Sequence, residues 1–137
     1  MVGVVVVGHG RLGEEMVRTL ESVLGPQAQL AAVATSTSAA PEAIRAEIAT
    51  AAQAVDRGGG VIICTDMLGD TATNQSLVVA REIGAEVVAG VNMPILVKLC
   101  SDREQGDPKH LAGFLLQYGQ THIFWATEPH PHTPHAR

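Results

Sequence analysis

The sequence predicts an α/β fold, a doubly wound and mostly parallel open sheet with helices on both faces. Two observations carry that prediction. Apolar, β-branched runs recur at residues 2–7, 29–34, 60–65 and 86–91, and they are continuous rather than alternating, as strands buried on both faces are. Stretches of helical periodicity lie between them, so strand and helix alternate along the chain as in βαβ units.

After the first strand, residues 11–24 place Leu12, Met16, Leu20, Val23 and Leu24 on one helical face, with Arg11, Glu14, Glu15, Arg18 and Glu21 largely opposite. Gly25-Pro26 stops that helix. Pro41 opens a second, in which Ile44, Ile48, Ala51 and Val55 share a face, and Gly58-Gly59-Gly60 ends the connection. A third covers residues 73–83 with Gly84 as its cap. Pro94 starts a short helix through Cys100, and "SDREQGD" (101–107) reads as a polar loop. Pro108 opens a helix with Leu111, Phe114, Leu115 and Tyr118 at i, i+3, i+4 and i+7. "THIFWA" (121–126) reads as a last strand. Residues 1–126 thus form one domain, and the proline- and histidine-rich tail, 127–137, is expected to be disordered.

Composition narrows the function classes. The chain has 137 residues, 46% of them apolar, which suits a single packed domain. A net charge of -5 argues against nucleic acid as a partner. No run approaches the roughly 20 apolar residues of a membrane span, and no basic region precedes residues 2–7 as in a signal peptide, so the expected compartment is the cytoplasm. Cys64 and Cys100 sit in apolar runs and read as reduced, buried thiols.

In an open parallel sheet, ligands bind beyond the carboxyl ends of the strands where strand order reverses. With order 2-1-3-4 the reversal falls between the first and third strands. The first ends in Gly8-His9-Gly10 and the third in Thr65-Asp66, so His9 and Asp66 approach one crevice. A histidine there is a nucleophile at neutral pH, provided one ring nitrogen holds its proton. A carboxylate on that nitrogen fixes the tautomer and stabilises the cation formed on attack. Gly8 and Gly10 allow a sharp turn and the approach of a bulky partner. Gly10 and the loop "DMLGDTATNQS" (66–76), through Met67, Leu68, Gly69 and the Thr71 hydroxyl, lead into helix N-termini suited to phosphoryl oxygens. A glycine-flanked histidine is also compatible with a structural role on spacing alone, and Asp66 at the same crevice weighs against it. The remaining histidines, His110, His122, His130, His132 and His135, read as structural or solvated, and no metal site is expected. Trp125 reads as a packing or dimer-interface residue.

Three blocks make the chain resemble the mannose-family IIA domain of the bacterial phosphoenolpyruvate:sugar phosphotransferase system (PTS): "VVVVGHGRLGEEM", "GGGVIICTDMLGDTATNQS" and "EVVAGVNMPILVKL". The resemblance covers about residues 1–126. It implies a phosphotransferase that takes a phosphoryl group from phospho-HPr onto His9, through the ring nitrogen far from the backbone, with Asp66 bonded to the ring. The group then passes to a IIB protein, for sugar uptake or a regulatory relay. The resemblance also implies no cofactor, contact with a membrane only through a permease complex, and a homodimer that exchanges the antiparallel strand at 121–126. Asp70 departs from the family pattern, which often has glycine there. Pointing inward it would repel a phosphoryl group, and pointing outward it would select a basic partner. Arg11, Asn92 and Met93 are further candidates for contacting a partner around the crevice.

Other classes share the architecture. The alternatives are the phosphoryl-donor subunit of a PTS-dependent dihydroxyacetone kinase, and a regulatory binding module switched by phosphorylation of His9. A receiver domain with Asp66 as acceptor would need an acidic pair after the first strand, where this chain has Gly-His-Gly. A flavin or nucleotide module fits poorly with an aromatic content of only 3% and with the lack of a Walker motif.

Overall fold

The computed structural model describes residues 1–129. The elements are β1 (Gly3–His9), α1 (Leu12–Leu24), β2 (Leu30–Thr35), α2 (Pro41–Val55), β3 (Val61–Thr65), α3 (Thr71–Ile83), β4 (Glu86–Ala89), α4 (Met93–Asp102) and α5 (Pro108–Thr121). The four strands are parallel in the order β2-β1-β3-β4, the order expected. Of the tail 127–137, residues 130–137 lie outside the described ones, and His130, His132 and His135 with them.

Period-two alternation divides β1 between two cores. Val4 and Val6, with Ile62 and Cys64 of β3, pack against Leu20, Leu96, Leu99 and Leu115 of α1, α4 and α5. Val5 and Val7, with Val61 and Ile63, pack against Ile44, Ile48 and Val79 of α2 and α3. The continuous apolar run is therefore two interleaved faces. Each fully buried aliphatic contributes about 1.5–3 kcal/mol, so the central strands anchor both layers.

Two segments differ from the sequence prediction. Residues 121–126 do not form a strand: α5 continues to Thr121, and His122 caps its C-terminus. The His122 ring stacks on Tyr118 with centroids 3.6 Å apart, and its Nδ1 lies 2.7 Å from the Tyr118 carbonyl oxygen. A strand needs a neighbour for its backbone N–H and C=O groups, and among the described residues the segment has none. Ile123 and Trp125 are left 79% and 73% exposed, and Phe124 is exposed as well.

The second difference is the 101–107 loop. α4 extends through Asp102, and Arg103 is only 1% exposed. Its guanidinium donates to the carbonyls of Val2 (3.2 Å), Gln29 (2.8 Å) and Ala28 (2.5 Å) and to Gln27 Oε1 (3.2 Å). Its own carbonyl accepts from the Val2 N–H at 3.0 Å. These bonds tie the end of α4 to the start of β1 and the entry to β2.

Candidate functional site

The site is built where β1 and β3 end. Gly10 has a φ of +54°, which turns the chain out of β1, and its N–H donates to the Thr35 carbonyl at 2.8 Å. The Thr35 hydroxyl donates to the Gly8 carbonyl at 3.1 Å, so the end of β2 holds the Gly-His-Gly turn from the side. Gly8 has a different reason from the one expected. A Cβ on it would stand 2.9 Å from the Gly13 nitrogen, so it makes room for the first turn of α1 rather than for a partner.

His9 and Asp66 meet. Asp66 Oδ2 lies 2.7 Å from His9 Nδ1 and also accepts the His9 backbone N–H at 2.9 Å. Its other oxygen, Oδ1, accepts the Met67 N–H at 2.9 Å. The carboxylate is thus fixed by two backbone donors and turned to one side of the ring. The hydrogen bond and charge of Asp66 raise the His9 pKa above its ordinary 6.5, against a small opposing effect of burial, and the charge of Asp70 adds to the rise. For Asp66, burial pushes the carboxyl upward, but the hydrogen bonds from the His9 N–H and ring, the His9 charge and the Met67 N–H outweigh it, and the pKa falls below 3.8. With the proton held on Nδ1, Nε2 carries the lone pair.

Asp70 points inward. It caps α3, its Oδ1 accepting the Thr73 N–H at 2.7 Å, and its Oδ2 stands 3.4 Å from His9 Nδ1. The Thr73 hydroxyl donates to the Met67 carbonyl and is bonded to the Thr65 hydroxyl at 2.8 Å, which pins the 66–70 loop to the end of β3. Gly69 takes a φ of +91° in that loop. Thr71 is exposed at the first position of α3, where backbone N–H groups have no intrahelical partner. Met67 and Leu68 are 56% and 80% exposed, and the Met67 N–H is already engaged by Asp66.

A cavity of ≈ 420 Å³ adjoins His9, lined among others by Thr35, Ser36, Thr37, Gly69, Asp70 and Asn74. This wall is missing from the sequence prediction, and the hydroxyl-rich "TSTS" (35–38) at the end of β2 is the signal for it. Asn92 and Met93 are not part of it. Asn92 caps α4 through the Ile95 N–H (3.0 Å), and Met93 packs on the core beneath α4. Arg11 turns outward to Glu14 (3.7 Å) and Glu15 (3.6 Å).

Among the described residues, His9, Asp66 and Asp70 are the one group with ligand atoms close enough to share an ion. Two ligands of one zinc-like ion at ~2.0–2.2 Å each stand roughly 3 Å or more apart. Nδ1 and Oδ2, at 2.7 Å, are spaced for a shared proton. Cys64 and Cys100 are free, buried thiols. Burial, with Cys100 adding to it, pushes Cys64 up to about 12, so it is no nucleophile.

Strand order and site together define a class: a doubly wound α/β protein with a carboxylate-oriented histidine at its topological switch point. The family described as the PTS system fructose IIA component, EIIA-man, matches residues 3–113, and the chain belongs to that family. It is therefore a IIA component of the mannose family within a phosphotransferase system. Solved structures agree in fold. The chain is similar to the mannose/sorbose-specific IIA subunit from Enterococcus faecalis, with a TM-score of 0.83 at 21% identity over 94% of this chain and 97% of that one. It is also similar to the component EIIA from Streptococcus agalactiae, with a TM-score of 0.81 at 19% identity over 90% and 96%. A third is the PTS IIA protein associated with the fucose utilization operon of Streptococcus pneumoniae, with a TM-score of 0.77 at 20% identity over 90% and 95%. A comparison with curated proteins returns no match. No helix among the described residues is long and apolar enough to cross a membrane.

Proposed function

We propose that residues 1–126 act as a phosphohistidine carrier, which accepts a phosphoryl group from phospho-HPr on His9 and passes it to a IIB protein. The observation that carries this reading is the pairing of His9 Nδ1 with Asp66 Oδ2 at 2.7 Å on a carboxylate held by backbone N–H groups. Nε2 attacks phosphorus with its lone pair. The P–N bond to the donor imidazole breaks, and its electron pair returns to that ring. The Nδ1 proton stays in place, held by Asp66. Exposed Met67 and Leu68, which follow Asp66 in the loop, give a carrier protein an apolar contact, and the first N–H groups of α3 receive phosphoryl oxygens. Incubation with phosphoenolpyruvate, enzyme I and HPr is expected to add one phosphoryl group by intact mass. The group should be acid-labile, base-stable and map to His9. Failure to take up phosphoryl from the HPr of the same organism would overturn the proposal.

Dimerisation belongs to the same reading. The exposed apolar residues of 122–126 lie beyond β4, whose outer edge is unpaired in the four-stranded sheet. Pairing of that segment with the sheet edge of a second copy would bury them. Light scattering is expected to give two copies per particle, and Trp125→Asp to give one. A monomeric wild type at micromolar concentration would rule this out.

A further inference from the structure

We propose that Asp70 makes the phosphoryl group on His9 labile, acting as a second carboxylate that biases the charged protein toward giving the group away. The inference rests on His9 being the acceptor and concerns the fate of the phosphoryl group once His9 carries it.

Asp70 is not a mobile surface acid. Its Oδ1 is held by the Thr73 N–H, which fixes Oδ2 against the ring at 3.4 Å from Nδ1. Oδ2 is buried and has no hydrogen-bond partner. An unpartnered buried carboxylate oxygen is costly unless a positive charge offsets it. The charged groups around the ring identify that charge. Asp66 faces it from the end of β3, and Arg11 turns away to Glu14 and Glu15. The residues lining the cavity from β2, α2 and α3 add no other charged side chain. With a proton on Nδ1 and phosphorus or a second proton on Nε2, the imidazole ring is the cation available to Asp70.

That arrangement acts on the phosphorylated ring in two ways. A ring carrying phosphorus on Nε2 and a proton on Nδ1 is an imidazolium, and it leaves as a neutral imidazole. When the Nε2–P bond breaks, its electron pair returns to the ring and phosphorus passes to the acceptor nucleophile. No proton has to be delivered, because Nδ1 already holds it. Two carboxylates on the Nδ1 side keep the ring in this form to higher pH than one does. Asp70 also places a negative charge at the α3 N-terminus, where the phosphoryl oxygens must sit, and so opposes the charged state directly.

The test charges His9 with potassium phosphoramidate, a donor that needs no partner protein, and tracks phosphoryl loss against pH in wild type, Asp70→Asn and Asp70→Gly. Asparagine keeps a capping oxygen for Thr73, and glycine at a cap costs little, so both variants preserve the helix start. Removing the carboxylate is expected to lower the midpoint of the pH profile by about one unit, which makes loss about tenfold slower above the midpoint. Superimposable profiles for the three proteins would overturn the proposal, as would failure of phosphoramidate to charge His9. If phosphoramidate charges His9 and phospho-HPr does not, the carrier reading fails while the Asp70 comparison still decides this one.

Discussion

His9→Ala is expected to abolish phosphoryl uptake, and Asp66→Asn to slow it by about 10³–10⁴-fold with the fold intact, in line with loss of the orienting carboxylate in hydrolytic triads. The geometry shows why the amide cannot substitute. Both Asp66 oxygens accept backbone N–H groups, Oδ2 from His9 and Oδ1 from Met67. An asparagine must therefore turn its NH₂ against one of two donors. Facing His9, it donates to Nδ1, drives the ring proton onto Nε2 and blocks the attacking position. Facing Met67, it keeps the tautomer but loses the charge that stabilises the imidazolium. Stopped-flow or quenched transfer from phospho-HPr measures the rate. An Asp66→Asn protein within tenfold of wild type would show that Asp66 does not orient the nucleophile.

The same pair gives stability a pH window. The His9 pKa is raised above 6.5, so its contribution is complete below that value and is lost as pH rises through the folded pKa. The Asp66 pKa is lowered below 3.8, so its contribution is complete above that value and is lost as pH falls through the folded pKa. The pair therefore stabilises the fold most between 3.8 and 6.5. Denaturation of wild type and His9→Ala across pH should show their largest gap there. For uptake the sign is opposite at the acid end, because the attacking lone pair is lost as the ring protonates.

Arg103→Met is expected to destabilise the protein by at least about 3 kcal/mol, since a charged donor's hydrogen bonds contribute about 1.5–3 kcal/mol each and several are lost together. Methionine fills much of the same space, so the loss reports hydrogen bonding more than a cavity. The carbonyls of Val2, Ala28 and Gln29 lose their partner at the point where β1, β2 and α4 meet. Gln29 is in the left-handed region at a φ of 52°, with its side chain donating to the Val55 carbonyl at 2.9 Å, so this junction has few alternative arrangements. A melting temperature lower by about 10 °C corresponds to that loss. Arg103→Lys should lose less, because it keeps the charge and gives up the planar fork. A change under about 1 kcal/mol in Arg103→Met would mean that water replaces the guanidinium at the carbonyls.

Much of the architecture was legible in the sequence because it is local. Continuous β-branched runs marked four strands, and 3.6-residue periodicity with Pro41, Pro94 and Pro108 near helix starts marked five helices. The approach of His9 to Asp66 was legible too, once the strand order was taken as 2-1-3-4, because both residues stand at carboxyl ends of neighbouring strands.

The rest depended on partners far away in the chain. Arg103 reads as a loop residue until Val2, Ala28 and Gln29 come within reach of its guanidinium. Asp70 reads equally as an inward or an outward charge until the Thr73 N–H fixes its rotamer. Gly8 reads as room for a sharp turn and a bulky partner until Gly13 packs against it. "THIFWA" has the composition of a strand, yet composition supplies no neighbour to pair with, and among the described residues Ile123, Phe124 and Trp125 remain exposed. Most of the strands and helices, and the place of His9 and Asp66 at neighbouring strand ends, could be read from residue order, because periodicity and residue type are properties of neighbours along the chain. Where the buried charge is satisfied and which way each carboxylate faces came only with folding, because hydrogen bonds and desolvation depend on groups that are distant in the chain and adjacent in space.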